Sequence, residues 1–408
     1  MLTLAEIRTG YHYLPRLHTG HGLPGRVGDT SDTASGCVDR RVVFKHQATD
    51  FCVDEMLPSS FAASGDGEHF WILVKKQDLN THDVIESLAR SVGCRARDIG
   101  YSGLKDRHAI TTQWFSLPTA KMADRDVARN ALVELPARIQ ADPLFAGGCE
   151  LQQQFLHTRK LKPGTHIGNR FKLVLRECDA MQRQQFETRL NLIKQQGFPN
   201  YFGLQRFGIE GRNLLTYQRL SAESGTGKDR QGRGRRGRQS QQAQRARSMA
   251  LSAARSVMFN AVLACRIDNR SCMQMEPGEP LMLADSSSFF ICEEPDADLT
   301  KRLAAYDVLT SGPLWGDIKK QNDALLDWQL RETAWWSDWS LRCLPFETRL
   351  SPELLLQCGL QHQRRSLLCR PGKLSWEWRD SSVLKLEFTL PAGVFATALL
   401  RELCELAL

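Results

Sequence analysis

The chain has 408 residues, which is enough for two or three domains and a full-sized hydrophobic core. With 42% hydrophobic and 25% charged residues, its composition is typical of soluble globular proteins. No uncharged apolar run reaches the ~20 residues needed to span a bilayer, so we expect no membrane partner. The net charge of +8 favours a polyanionic partner, because phosphate contacts supply much of the affinity for nucleic acids.

Twelve cysteines are scattered singly between Cys37 and Cys404, and none forms a C-x-x-C pair. This spacing fits neither a zinc site nor a small disulfide-linked secreted domain. The N-terminus also lacks the basic region and apolar core of a signal peptide. We therefore expect reduced, mostly buried thiols in a cytoplasmic protein.

The first half of the chain predicts strands and helices in alternation after an irregular arm. Residues 10–40, rich in Gly, Thr, Asp and Ser, predict the arm. The hydrophobic periodicity predicts strands over residues 41–45, 50–55, 70–75 and 109–117, a turn leading into a strand within residues 166–175, and helices over residues 80–89 and 180–196. The order strand, helix, glycine turn, strand indicates an α/β unit.

The second half is less regular. Residues 197–208 combine Gly, Pro and Asn with four aromatic residues and predict a packed loop. From residue 228 to 247 there are eight Lys or Arg residues against one acid, which predicts a disordered tract that contacts RNA phosphates nonspecifically. A buried helix is predicted from residue 248, then helices and loops to about residue 360 with a turn at 312–316. Strands over 376–390 and a helix over 396–408 complete the pattern.

The turn at residues 100–108 is the most informative segment, because it presents one carboxylate, Asp106, between the cations Lys105 and Arg107. Nearby positive charge favours an ionised and oriented carboxylate, as a nucleophile requires. Taken alone, a Lys-Asp-Arg triplet is most often a solvated surface turn.

Five stretches together resemble the TruD family of pseudouridine synthases, and they occur in that family's order. They are residues 49–55 (TDFCVDE), 100–115 (GYSGLKDRHAITTQWF), 168–171 (GNRF), 199–208 (PNYFGLQRFG) and 390–397 (LPAGVFAT). The chain departs from the family pattern in its long N-terminal arm and in an enlarged basic loop.

The resemblance implies an α/β fold of the α+β type. A pseudouridine synthase catalytic domain with a mixed, largely antiparallel sheet would be interrupted by an inserted, mostly α/β TRUD domain. Residues 1–196 would form the first part of the catalytic domain and residues 363–408 its C-terminal part. The inserted domain would comprise residues 197–362, including the basic loop 225–247.

By the same resemblance, Asp106 is the catalytic nucleophile. The substrate contacts implied by the family are Lys45, Phe51, Asn169, Phe171 and Phe395. Asn169 and Phe171 are two residues apart, so a strand would place both on one face. From the pattern alone, the three phenylalanines are better interpreted as core residues, because buried phenylalanine is common. Lys45 is equally well a solvated lysine at a strand end.

The resemblance implies an isomerase that converts uridine 13 of tRNA to pseudouridine. We expect tRNA as the partner, a monomer, and no metal, nucleotide or redox cofactor, because the isomerisation is redox-neutral and the chain shows no cofactor motif. One alternative is a noncatalytic RNA-binding protein or chaperone that retains the fold, although the intact Asp106 segment argues against it. A hydrolase using Asp106 and water lacks the second acid or base that such chemistry needs.

Overall fold

The structure is a computed structural model that describes residues 3–18, 42–61, 65–122, 124–225, 241–284, 286–318, 323–345 and 349–407. Most of the predicted N-terminal arm and residues 226–240 of the basic loop lie outside the described residues.

Within the described residues, strands and helices alternate along most of the chain. The strands are β1 (Val42–Phe44), β2 (Phe51–Met56), β3 (His69–Gln77), β4 (Gly100–Tyr101), β5 (Ile110–Pro118), β6 (Cys149–His157), β7 (Gly168–Arg176), β8 (Phe198–Pro199), β9 (Glu279–Leu283), β10 (Phe289–Cys292), β11 (Val308–Leu314), β12 (Gln363–Ser366), β13 (Leu368–Cys369), β14 (Gly372–Trp378), β15 (Leu384–Pro391) and β16 (Leu406–Ala407). The helices are α1 (Leu4–Thr9), α2 (Thr81–Val92), α3 (Arg125–Arg129), α4 (Ala131–Gln140), α5 (Pro143–Gly147), α6 (Arg183–Gln196), α7 (Arg212–Gly225), α8 (Gln241–Asp268), α9 (Ala297–Ala305), α10 (Asp323–Cys343), α11 (Glu353–Gln357) and α12 (Ala396–Leu403).

The chain divides into two compact units, which we call the sheet unit and the helix-rich unit. The sheet unit comprises Asp39–Thr188, Pro371–Ala396 and Cys404–Leu408. The helix-rich unit comprises Met1–Val38, Arg189–Arg370 and Thr397–Leu403.

The sheet unit is built on a ten-stranded mixed sheet with the main order β14-β15-β7-β2-β5-β3-β6. Three further strands lie outside this main order: β1 pairs with β7, β16 pairs with β1, and β4 pairs with β5. The β2–β5 and β1–β16 pairs are parallel, and the neighbours along the rest of the main path are antiparallel. The result is a mixed α/β architecture with one large sheet.

Helix α2 covers one side of strands β3 and β5. It begins as predicted beside Asn80, which forms a capping box with Asp83, and Gly93, with φ of 65°, caps its C-terminal end after Val92. Its apolar residues pack against alternate residues of the two strands in one buried cluster. This packing fixes the helix beside the turn that carries Asp106.

The predicted C-terminal helix is shorter than the sequence indicates. The sequence predicts a helix to residue 408, but α12 ends at Leu403 and Leu406 pairs in parallel with Val42 of β1. The main-chain N–H of Val42 also donates to Glu405 O (2.9 Å). Pairing with a strand more than 350 positions earlier in the sequence outweighs the local helical pattern, and local periodicity cannot reveal it.

The helix-rich unit contains a four-stranded sheet, β10-β9-β11-β12, that the sequence does not predict. The expected turn at residues 312–316 is wrong for its first part, because Gly312 and Pro313 lie in β11 and pair with β12. A Cβ on Gly312 would lie 2.9 Å from the Phe259 ring of α8. The glycine therefore permits close packing of a helix on the strand and does not mark a turn.

Helix α8 begins seven residues earlier than the predicted helix, at Gln241, so residues 241–247 of the basic tract are helical. Gln, Ala and Arg all have good helix propensity, which explains the extension. Within the described residues, Ala243–Asp268 is the one segment long and apolar enough to cross a membrane, and most of its apolar part is buried inside the protein.

Candidate active site

Asp106 lies in the turn between β4 and β5 of the sheet unit, with its side chain 46% exposed. The Lys45 ammonium group, just beyond β1, is 3.1 Å from Asp106 Oδ2. Lys45 has a positive φ of 58°, which is uncommon for a residue with a side chain. The turn therefore presents an accessible carboxylate whose direction is set by a hydrogen-bonded cation.

Buried polar side chains hold the main chain of this turn. The N–H of Lys105 donates to Thr81 Oγ1 (3.0 Å), and the Thr81 hydroxyl donates to Gln113 Oε1 (3.0 Å). The Gln113 amide in turn donates to the carbonyl of Gly103 (3.1 Å). Because Thr81 and Gln113 are buried and mutually satisfied, they restrict the turn to one conformation.

A buried ion pair lies directly beside the nucleophile candidate. Lys105 Nζ is 2.8 Å from Glu55 Oε1, and the two side chains are 6% and 0% exposed. The other carboxylate oxygen of Glu55 accepts from the N–H of Trp114 (3.1 Å). With both charges satisfied, the pair joins β2, the turn and β5 at one point.

A second contact ties the start of the turn to the segment before β7. Ser102 Oγ lies 2.8 Å from His166 Nδ1, and Ser102 Oγ also accepts from the His166 main-chain N–H (2.7 Å). Burial lowers the pKa of His166, so the ring is neutral near pH 7.

Three phenylalanines form a row beside Lys45. The Lys45 ammonium lies 3.9 Å from the ring centroid of Phe51, within cation–π distance. Phe171 follows at 6.2 Å from Phe51, and Phe388 stacks on Phe171 at 5.3 Å. All three rings are buried, so in this structure Phe51 and Phe171 have core contacts as well as a position near Asp106.

Asn169 lies on β7 opposite Glu55 of β2 and Leu390 of β15. Its side-chain Oδ1 is buried and accepts no hydrogen bond from the described residues. An unsatisfied buried acceptor costs free energy, and a donor on a bound ligand would relieve that cost.

The structure therefore brings together four of the six predicted site residues through direct contacts: Lys45, Phe51, Phe171 and Asp106. Asn169 is connected through the strand pair with Glu55 and the Glu55–Lys105 ion pair. Phe395 is half-buried in the turn between β15 and α12.

Sequence reasoning gave no role to Glu55, Lys76, Thr81 or Gln113. Lys76 Nζ donates to the carbonyl of Asp106 itself (2.8 Å). A signal for Lys76 exists in the sequence, because it continues the apolar alternation of Phe70, Ile72 and Val74 along β3. Among the described residues, no group of three or more His, Cys, Asp or Glu side chains is placed to hold a metal ion.

Comparison with known proteins adds independent information. Residues 35–215 and 237–403 match the family model described as tRNA pseudouridine synthase D (TruD). The chain is 38% identical over 373 residues to the tRNA pseudouridine synthase D of Pseudomonas putida (strain W619), covering 91% of this chain and 94% of that protein. The corresponding protein of Stutzerimonas stutzeri (strain A1501) is also 38% identical, with coverages of 90% and 93%.

A solved structure has a similar fold. It belongs to a protein assigned as tRNA pseudouridine synthase D (TruD) from Methanosarcina mazei, and it aligns with a TM-score of 0.61 at 17% identity. The alignment covers 91% of this chain and 95% of the other. At this identity the match concerns the fold alone.

Proposed function

Because this chain belongs to the TruD family of tRNA pseudouridine synthases, we propose that it isomerises uridine 13 of tRNA to pseudouridine with Asp106 as the nucleophile. One observation carries the assignment of the nucleophile: the accessible Asp106 carboxylate is paired with Lys45 at 3.1 Å on a turn held by buried polar groups. A solvated surface triplet would need none of these supports.

The reaction breaks the C1′–N1 glycosidic bond of uridine and forms a C1′–C5 bond. The C5 proton is lost and N1 gains one, so the change is redox-neutral. Asp106 would assist bond cleavage by attack at C1′ or C6 or by promoting a glycal route. Lys45 keeps the carboxylate pointing toward the reacting ring by a charge-assisted hydrogen bond.

The detached uracil must turn while it is held, which requires hydrogen bonds to its edge and contact with its faces. In our proposal the unsatisfied Oδ1 of Asn169 accepts from an N–H of the base. Phe51, Phe171 and Phe395 supply the aromatic surface, with Phe171 in the stacking position.

We assign the sheet unit to the catalytic domain and the helix-rich unit to the inserted TRUD domain. The predicted boundaries at residues 196 and 362 lie within eight residues of the divisions at Arg189 and Arg370. Met1–Val38 and Thr397–Leu403, which the predicted boundaries place in the catalytic domain, belong to the helix-rich unit. The protein is further proposed to act as a cytoplasmic monomer on tRNA, without a metal, nucleotide or redox cofactor.

The direct test is incubation of the purified protein with an unmodified tRNA transcript, followed by site-specific detection of pseudouridine. We expect one new pseudouridine, at position 13, and none in a transcript with cytidine at that position. Binding of tRNA without any product would favour the noncatalytic RNA-binding protein instead.

Deletion of residues 225–244 should weaken tRNA binding and leave the chemical step intact. The tract has several cations and almost no side chains that could build a core, so its contribution should be electrostatic. Its effect should fade at high salt, because released counterions drive such contacts. The measurement compares tRNA affinity at low and high salt, and single-turnover rates at saturating enzyme, between the deletion and the parent. A large loss of the single-turnover rate would show that the tract shapes the active site.

A further inference from the structure

Lys76 is a charged residue at a buried position of the core. It lies on β3 in alternation with Phe70, Ile72 and Val74, and only 1% of its surface is exposed. Its sequence neighbour Lys75 points to the other side of the sheet and pairs with Glu150 at 3.5 Å. Two adjacent lysines thus have opposite environments.

The buried ammonium group of Lys76 has two main-chain acceptors. It donates to the carbonyl of Leu79 (2.7 Å), just before α2, and to the carbonyl of Asp106 (2.8 Å). No carboxylate lies within ion-pair distance of it among the described residues. The side chain therefore connects the entrance of α2 to the peptide unit of the proposed nucleophile.

The charged and titratable groups around Lys76 are Asp106, Asp78, Lys105 and Cys149. Burial raises the pKa of the Cys149 thiol to about 12, so this neighbour on β6 stays neutral. Burial also lowers the pKa of Lys76 to about 8, which means that the fold disfavours its charge. The two main-chain acceptors offset part of the cost of this charge, and one of them is the carbonyl of the proposed nucleophile.

We propose that Lys76 is a positioning residue for Asp106, which holds the Asp106 carbonyl and so fixes the direction of the carboxylate toward the bound uridine. The inference rests on the proposed function. Lys45 orients the carboxylate from the solvent side, and Lys76 holds the main chain of the same residue from the core side. A shift of the carboxylate by about 1 Å is enough to lower a rate on the order of 100-fold.

The test compares Lys76→Met with the matched control Lys75→Met. Methionine has a similar length and an apolar end, so it suits the buried face of β3. We expect Lys76→Met to lower the single-turnover rate about 100-fold, with tRNA affinity within about threefold of the parent and an unchanged melting temperature within a few degrees. Lys75→Met should match the parent in all three measurements.

A folded Lys76→Met variant with the parental rate would overturn the inference. So would a variant that fails to fold or that loses activity only in proportion to its folded fraction, because either result makes Lys76 a structural residue. A parent protein that forms no pseudouridine would contradict the proposed function itself. Failure of the proposed function can therefore be distinguished from failure of the Lys76 inference, which is seen only in the variant.

A second measurement does not depend on activity. The folded pKa of Lys76, about 8, lies below its usual value of 10.5, so between these pH values the unfolded chain binds more protons than the folded one. The melting temperature of the parent should therefore rise relative to Lys76→Met as the pH increases from 8 to 10.5. An equal response of both proteins would show that Lys76 is not held as a buried amine, and would overturn the inference.

Discussion

We expect Asp106→Asn to lower the rate of pseudouridine formation on the order of 10⁴-fold or more, as for removal of a nucleophile. Asparagine has nearly the same shape, but its amide cannot act as a nucleophile toward the sugar or the base. The half-exposed side chain loses only its ion pair with Lys45, and a pair of this exposure contributes about 0–1 kcal/mol. The folded structure should therefore persist.

The affinity for tRNA should also persist, because phosphate contacts spread over a surface supply most of it. The measurement is a single-turnover assay at saturating enzyme, with affinity and melting temperature determined on the same preparations. Asp78→Asn is the matched control, since Asp78 is a nearby carboxylate of similar exposure paired only loosely with His108 at 3.8 Å. Activity of Asp106→Asn within about tenfold of the parent would remove Asp106 as the nucleophile.

The parts of the fold that the sequence predicts well are those set by local pattern. Helix α2 has a capping residue, Asn80, and a regular apolar face, while β7 shows clear alternation. The strands β9 to β12 lack such a pattern, because they are short and include Gly312 and Pro313. The β11–β12 pairs join residues 49–55 positions apart and the β9–β11 pairs join residues 25–29 positions apart, and no local signal encodes either pairing.

The candidate site also has a part that the sequence predicts and a part that only the fold reveals. Family motifs pointed to Asp106, Asn169 and Phe171 because the motifs preserve residue types at fixed spacing. The supporting contacts could not be predicted, since Glu55 and Lys105 meet only after β2 and β5 pair in parallel. The alternation of β3 places Lys76 on the apolar face, but its two acceptors, the carbonyls of Leu79 and Asp106, lie outside the strand and become its neighbours only in the fold.

The core and substrate interpretations of Phe171 lead to different outcomes, and its surroundings make them separable. Its ring is 6% exposed and packs between Phe51 and Phe388. Phe171→Ala should therefore destabilise the protein by about 3–5 kcal/mol, because the neighbouring rings cannot fill the cavity. That loss alone would reduce activity without identifying a substrate contact.

Phe171→Leu is the sharper variant, because it keeps most of the volume and should cost less than about 1.5 kcal/mol. If Phe171 stacks on the uracil, losing the aromatic face should lower the single-turnover rate about 10- to 100-fold, since stacking on an aromatic side chain contributes about 1–3 kcal/mol per base. Phe388→Leu is the matched control. Phe388 is fully buried and its ring stacks on Phe171 at 5.3 Å.

We expect both leucine variants to lower the melting temperature by similar amounts and only Phe171→Leu to lose turnover. The two effects separate because stability depends on filled volume, whereas the rate depends on an aromatic face that the base can contact. Equal rates for the two variants, measured at a temperature where both are fully folded, would make Phe171 a core residue and leave the uracil to be held by Asn169 and the other aromatic residues.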